Sequence, residues 1–164
     1  MDNAVLMISK ALLLGASATI VFDLWGQLLK YTFKVPPSNI CFVGRWLLHM
    51  PAGKFTHEKI SASAPKKGEC IAGWAAHYMI GISLASIFII LTGQNWLQSP
   101  VVLPALGFGI VTAAAPMFIM QPAFGLGFAA SKTPNPWQAR LRSLLNHAAF
   151  GVGLYLTALL LDLF

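Results

Sequence analysis

Four long apolar stretches decide what this chain of 164 residues can fold into. They cover residues 5–29, 71–92, 101–120 and 144–163. A helix needs roughly 20 residues to cross a hydrocarbon core of about 30 Å, and each stretch is close to that length. A backbone inside lipid has no water to bond, so each stretch must satisfy its own N–H and C=O groups as a helix. The sequence therefore predicts an all-α membrane protein, a single domain over residues 1–164 with four transmembrane helices.

The composition points to the same class of protein. Hydrophobic residues make up 57% of the chain and charged residues 10%, whereas a soluble domain is about a quarter charged. The net charge is +6, because eleven Lys and Arg residues outnumber five Asp and Glu residues, and the basic residues lie mostly between the apolar stretches. Basic residues separated in this way indicate membrane topology and not a nucleic-acid surface. The expected partner is the lipid bilayer, and no nucleic acid is expected.

The basic residues are unevenly shared between the loops. Those of the first loop (30–70) and the third loop (121–143) are Lys30, Lys34, Arg45, Lys54, Lys59, Lys66, Lys67, Lys132, Arg140 and Arg142. Short basic loops stay on the cytoplasmic side, so both loops are predicted inside and both termini outside. Lys10 is the only basic residue that does not fit this orientation. Cys41 and Cys70 then lie on the reducing side of the membrane, where a structural disulfide is not expected.

The first loop contains a predicted helix of its own. Pro36-Pro37-Ser38 is typical of a helix start, and Asn39–Met50 places apolar residues at helical spacing. We expect an interfacial helix on the inner leaflet; the alternative is a buried re-entrant segment or a segment that caps the bundle. The third loop supplies a second predicted interfacial anchor. The residues predicted to contact lipid headgroups are Arg45, Trp46, Trp137, Arg140 and Arg142.

Each apolar stretch carries a polar side chain near its cytoplasmic end. At 1.5 Å per helical residue, Asp23, His77 and His147 lie roughly 7 to 12 Å inside the cytoplasmic boundary. Gln121 lies at the inner end of the third stretch, and Gln27 shares a helical face with Asp23. The sequence predicts that these five side chains form one polar site.

The second and fourth stretches share a short pattern. His77-x-x-x-Gly81 in one corresponds to His147-x-x-x-Gly151 in the other, and both helices are predicted to run from inside to outside. If the pattern is a true repeat, the chain consists of two helical hairpins related by a pseudo-two-fold axis along the membrane normal. The glycines beside each histidine would let neighbouring helices approach closely.

Several longer motifs resemble those of a known family. They are Val43-Gly44-Arg45-Trp46, Gly73-Trp74-x-x-His77-Tyr78, Met120-Gln121-Pro122-Ala123 and Ala130-Ser131-Lys132-Thr133-Pro134 through Ala139-Arg140. Together they resemble an uncharacterised family of small bacterial inner-membrane proteins, a domain of unknown function, from about Asp23 to the end. The resemblance implies a multi-pass protein of the bacterial inner membrane, and it implies no activity, substrate or cofactor.

An acid inside the membrane requires a reason. Asp at a helix centre costs about 2.5 to 3.5 kcal/mol on insertion scales, and intramembrane ionisable groups are functional by default. We therefore predict that Asp23, with His77, His147, Gln121 and Gln27, binds or transports a small ligand or a proton. The alternative is a buried hydrogen bond that only fixes packing, or a pairing of Asp23 with Lys30 or with an arginine of the third loop.

Three other classes of function stay open. His77 and His147 could ligate a haem iron or, with Asp23, a divalent metal. A carrier of four spans would need to form a homodimer. An enzyme is disfavoured because the sequence contains no hydrolase elbow, phosphate-binding loop, metalloprotease helix or paired-cysteine redox motif. A structural or accessory membrane subunit would need no titrating group.

Overall fold

The computed structural model of the chain describes residues 3–162. Within that range the α-helices are α1 (Asn3–Phe33), α2 (Cys41–His49), α3 (Glu69–Thr92), α4 (Asn95–Gln98), α5 (Val102–Thr112), α6 (Gln121–Ala123) and α7 (Pro136–Asp162). Short 3₁₀ turns at Met50–Ala52, Ile60–Ala62 and Phe128–Ala130 and a π-helical segment at Pro116–Met120 complete the described elements.

Four described segments are long and apolar enough to cross a membrane. They are Val5–Phe33, Glu69–Thr92, Val102–Ala123 and Pro136–Leu161. This confirms the predicted all-α fold with four membrane-spanning helices. The first and last helices extend beyond the predicted spans, on the side of the basic loops. Apolarity marks the hydrocarbon-crossing part of a helix, whereas the helix itself continues until its hydrogen bonds end.

The third membrane-spanning segment is irregular at Pro116. α5 ends at Thr112, and a π-helical segment begins at Pro116 and continues to Met120, where α6 follows. Proline lacks the N–H that a regular α-helix requires, and single π turns often absorb such interruptions. The π-helical departure from α geometry therefore begins at Pro116.

The chain divides into two compact units. The first contains the residues up to Pro37, Tyr78–Val111 and the chain from Asn146 on, and the second contains Ser38–His77 and Thr112–Leu145. The long helices α3 and α7 each contribute residues to both units. That the chain acts as a single transmembrane domain, and that its hairpins are related by symmetry, stay predictions.

Glycines bring the helices of the first unit together. Gly15 of α1 faces the α3 backbone at Ile82, and Gly153 of α7 lies against Ala18 of α1. Gly109 of α5 packs on the α7 backbone at Gly151. Fully buried side chains fill the space beside these contacts, the largest being Phe88, Leu14, Leu154 and Thr19. The unit is thus held by close backbone approach, as expected where lipid removes the hydrophobic drive between helices.

In the second unit, α2 packs against the first turns of α3. Gly44 faces the Glu69 carbonyl, and Gly73 faces the Ile40 carbonyl, so the two backbones are nearly in contact. A disulfide joins Cys41 to Cys70 at the start of the two helices. The expectation that these cysteines would not pair is therefore wrong. It relied on the compartment alone and had no information about the distance between the two helix starts.

Candidate functional site

The intramembrane acid of α1 is hydrogen-bonded to α3 in the first unit. The Tyr78 hydroxyl donates to Asp23 Oδ2 at 3.2 Å, and both side chains are half-buried. Tyr78 directly follows His77, and one residue along a helix turns the side chain by about 100°. Tyr78 was not among the predicted site residues, and a contact between His77 and Asp23 stays a prediction.

The predicted histidine of α7 also lies in the first unit. The Phe22 and His147 rings pack edge to face, with centroids 5.6 Å apart. Because Phe22 precedes Asp23, this contact brings α7 close to the segment of α1 that carries the acid. The adjoining Asn146 is 7% exposed, and its Oδ1 accepts no hydrogen bond. Buried polar atoms are normally satisfied, so this oxygen has unused capacity to accept a donor.

Of the other predicted site residues, His77 and Gln121 belong to the second unit, whereas Gln27 belongs to the first. The His77 ring packs against Trp74, with centroids 5.8 Å apart. Gln121 is 8% exposed; its Nε2 donates to Ser143 Oγ at 3.2 Å and its Oε1 has no partner. Gln27 is exposed. Asp23 and His147 therefore share a unit, His77 and Gln121 share the other, and one site formed by all of them stays a prediction.

Arg45 is buried and ion-paired. Its Nε and Nη2 donate to the two Glu69 carboxylate oxygens at 2.8 and 2.7 Å, and Nη1 donates to the Ile60 and Ser63 carbonyls. The residue is 8% exposed. The hydrogen bond to Glu69 raises the pKa of the Arg45 guanidinium above its ordinary range, although burial acts in the opposite direction. The predicted contact of Arg45 with lipid headgroups does not fit, because its donors are used inside the unit.

Two of the other predicted headgroup residues also make internal hydrogen bonds. Trp46 Nε1 donates to the Phe55 carbonyl at 2.8 Å, and the Trp46 ring packs edge to face on Phe124. Arg140 Nε donates to the Ala129 carbonyl at 2.8 Å, where Ala129 has a positive φ of 46°. Arg140 thus supports a strained turn of the third loop. Arg142 is half-buried, and Trp137 is 71% exposed. The predicted role of Trp137 as an interfacial anchor stays a prediction.

A pair of histidines lies buried in the first loop. His49 and His57 are 8% and 5% exposed, and their ring centroids are 5.0 Å apart. His49 Nε2 donates to the Ala64 carbonyl at 3.0 Å, and His57 Nδ1 lies 2.7 Å from Ser63 Oγ. His57 Nε2 has no partner. Burial, together with the charges of Lys54 and His49, lowers the pKa of His57.

We expect acid to destabilise this loop through His57. A lowered pKa means that the folded loop binds the proton less well than the unfolded chain, so its stability is full above about pH 6.5 and declines as the pH falls below that value. The thermal midpoint of purified protein should drop by roughly 2–5 °C between about pH 7.5 and pH 5.5. His57→Asn, which cannot titrate, should lose that part of the dependence. An identical pH profile in this variant would contradict the assignment.

Metal ligation receives no support from the described side chains. No group of three or more His, Cys, Asp or Glu residues within that part of the chain is arranged to hold a metal ion. His77 and His147 belong to different units. Haem or metal binding through these two histidines therefore stays a prediction.

Some of these residues could not be found by scanning for intramembrane charge. Tyr78 and Asn146 carry no charge, and each is adjacent to a predicted histidine. No role was predicted for Glu69, although it is the ion-pair partner of Arg45. A search for any hydrogen-bonding side chain within an apolar helix would have found Tyr78 and Asn146.

Comparison with known proteins identifies a family but no activity. Neither the curated proteins nor the solved structures contain a match to this chain. A family model described as "Protein of unknown function (DUF2938)" matches residues 12–161, which is most of the chain and includes most of the first apolar helix and all of the other three. The protein therefore belongs to the DUF2938 family.

Proposed function

We propose that this protein binds a small polar ligand or a proton at Asp23, in the interior of its membrane-spanning helices. The observation that carries the proposal is the hydrogen bond from Tyr78 to Asp23, which joins α1 to α3 within the first unit. A tyrosine hydroxyl orients a carboxylate without cancelling its charge. A carboxylate so held can accept a proton, or bind a ligand that presents N–H groups or positive charge.

Other groups of the first unit would supply a binding site of mixed character. Phe22 and His147 supply an aromatic edge and an imidazole, and Asn146 supplies a buried carbonyl oxygen with no partner. Sites for small ligands are mostly apolar, with a few convergent polar groups. A ligand with two hydrogen-bond donors would suit an arrangement that offers a carboxylate and an amide oxygen.

The membrane location and orientation belong to the same proposal. We place the protein in the bacterial inner membrane, with the two basic loops in the cytoplasm and both termini outside. The asymmetric distribution of Lys and Arg supports this orientation. A transport function would also require a homodimer, because four spans are few for a carrier.

Asp23→Asn separates a functional charge from a structural hydrogen bond. Asparagine keeps an oxygen that can accept from Tyr78 but loses the negative charge. Protein in liposomes would be assayed for proton flux with an enclosed pH-sensitive dye, and in detergent for stabilisation by a panel of organic ammonium compounds. We expect one of these signals in the natural protein, and we expect Asp23→Asn to reduce it by roughly tenfold or more at unchanged thermal midpoint.

The matched control is Glu58→Gln, which removes the same charge from an exposed position in the first loop. It should leave both signals unchanged. A natural protein with neither proton flux nor ligand stabilisation would contradict the proposal. So would an Asp23→Asn variant that retains full activity, and the Asp23–Tyr78 bond would then be a packing contact alone.

A further inference from the structure

The disulfide lies at an accessible junction of two helices. Cys41 is the first residue of α2 and Cys70 the second residue of α3, and the bond between them encloses the intervening part of the first loop. Cys70 is exposed and Cys41 is half-buried. A small thiol or disulfide in solution can therefore reach the Cys70 sulfur. Access of this kind is required for thiol–disulfide exchange.

The two helix starts are also held together by contacts that do not involve sulfur. Glu69 adjoins Cys70, and its carboxylate pairs with Arg45, one helical turn after Cys41. Gly44 and Gly73 let the two backbones nearly touch on the same side. These contacts do not depend on the sulfur bond, so they would keep the two thiols close after reduction. Neighbouring thiols held in this way re-form a disulfide at high effective concentration.

The charge of the loop conflicts with a permanent disulfide. The first loop carries most of the basic residues of the chain and is proposed to face the cytoplasm. Thiols in that compartment are kept reduced by the glutathione and thioredoxin systems, and the disulfides that do form there are mostly transient. Two cysteine thiols that are held close together in a reducing compartment are suited to reversible disulfide formation.

We propose that Cys41 and Cys70 form a reversible thiol–disulfide site that responds to glutathione or another low-molecular-weight disulfide. The Cys70 thiolate attacks the glutathione disulfide and releases one glutathione, and the Cys41 thiolate then displaces the second. In total, two cysteine thiols are oxidised to one disulfide and one glutathione disulfide is reduced to two glutathione thiols, so protons and electrons balance. The setting of this site in the cell rests on the cytoplasmic orientation proposed above.

Oxidation would restrict a loop that makes specific contacts. Within the second unit, the His57 amide donates to the Ala123 carbonyl at 2.8 Å, and the Ile60 amide donates to the Phe124 carbonyl at 3.1 Å. These bonds attach the enclosed part of loop one to the inner end of the third span. The disulfide limits the conformations of the loop when these bonds break, because it fixes both ends of the segment.

The test is a glutathione titration of the purified protein. Free thiols would be trapped with a polyethylene-glycol maleimide and counted by gel shift across a range of ratios of reduced to oxidised glutathione. We expect a fully reversible transition. In Glu69→Gln the midpoint should move towards more oxidising ratios by roughly fivefold or more. The substitution removes the Glu69 charge that pairs with Arg45, and this pair helps to keep the two thiols close together.

Glu58→Gln, a charge change at an exposed site in the same loop, should leave the midpoint unchanged, and Cys41→Ser should show no transition. A bond that stays closed at every ratio would overturn the proposal by making the disulfide permanent. Equal midpoints in the natural protein and Glu69→Gln would overturn the account of how the thiols are held together.

The setting in the cell requires a separate experiment. Cys41 and Cys70 would be trapped with the maleimide in intact cells. We expect the pair to be mostly reduced in unstressed cells and to become oxidised after treatment with a thiol oxidant. A reporter fused to the C-terminus tests orientation independently and should be active outside the cytoplasm. A cytoplasmic C-terminus would contradict the proposed orientation and the response to cytoplasmic glutathione, but not the reversible titration. A fully oxidised pair in unstressed cells with an external C-terminus would overturn the redox site itself.

Discussion

Glu69→Ala is expected to lower the thermal midpoint of the purified protein by roughly 10 °C, as measured by unfolding in detergent. Arg45 is 8% exposed in the natural protein, and the substitution deprives its Nε and Nη2 of their carboxylate partner. An unpaired buried charge is far more costly than the pair itself is beneficial. The unfolding should begin in the second unit, since the ion pair and its carbonyl acceptors all lie there.

Two further variants establish whether the cause is the unpaired charge. Glu58→Ala removes an exposed acid of the same loop and should change the midpoint by no more than a degree or so, roughly the experimental error. Arg45→Leu combined with Glu69→Leu removes both charges and should recover most of the loss, because buried ion pairs can often be replaced by apolar side chains. If the double variant is as unstable as Glu69→Ala, the loss comes from the packing and geometry of the two side chains and not from an unpaired charge.

The number of membrane-spanning helices could be predicted from the sequence because hydrocarbon imposes a simple requirement. An apolar stretch of about 20 residues inside lipid satisfies its own backbone hydrogen bonds as a helix, and the length of the stretch then gives the span. The irregularity at Pro116 was predictable for a similar reason, because proline cannot donate the α-helical hydrogen bond. Helix ends were less accurate, since α1 and α7 continue into segments whose composition is no longer apolar.

The sequence predicts a depth for each polar group but not the direction in which its side chain points. Counting residues from the loops places Asp23, His77 and His147 at similar depth, whereas partners depend on the rotation of each helix about its axis. The structure shows the Tyr78 hydroxyl donating to Asp23, and contacts of Asp23 with the two histidines stay predictions. A sequence with weak apolar periodicity leaves that rotation undetermined, because lipid-facing and buried side chains are both apolar.

The contacts of the first loop could not be predicted from composition. Arg45 was assigned to lipid because basic residues beside apolar ones are typical of interfacial helices. Its actual partner, Glu69, is 24 residues away in the sequence, and only the close approach of Gly44 to α3 brings the two together. The same approach explains the disulfide. Both features depend on how α2 lies against α3, and neither hydropathy nor charge determines that geometry.

Gly109→Ala is expected to destabilise the first unit, where α5 crosses α7. A Cβ at this position would overlap the His147 carbonyl oxygen and come within 2.8 Å of Gly151 Cα. These neighbours are backbone atoms, which cannot move aside as a flexible side chain can. Overpacking of this kind costs about 1–3 kcal/mol, occasionally more. Thermal unfolding in detergent should register the loss directly.

Gly107→Ala is the matched control on the same helix. A Cβ there meets nothing within 4 Å, and alanine is favoured over glycine in a helix by about 0.5–1 kcal/mol. We therefore expect Gly107→Ala to be neutral or slightly stabilising, with the difference between the two variants due to contact and not to helix propensity. Equal midpoints would contradict the close crossing of α5 and α7. Because the Gly109 contact includes the His147 backbone, a loss confined to Gly109→Ala would also show that the segment carrying His147 and Asn146 is positioned by this crossing.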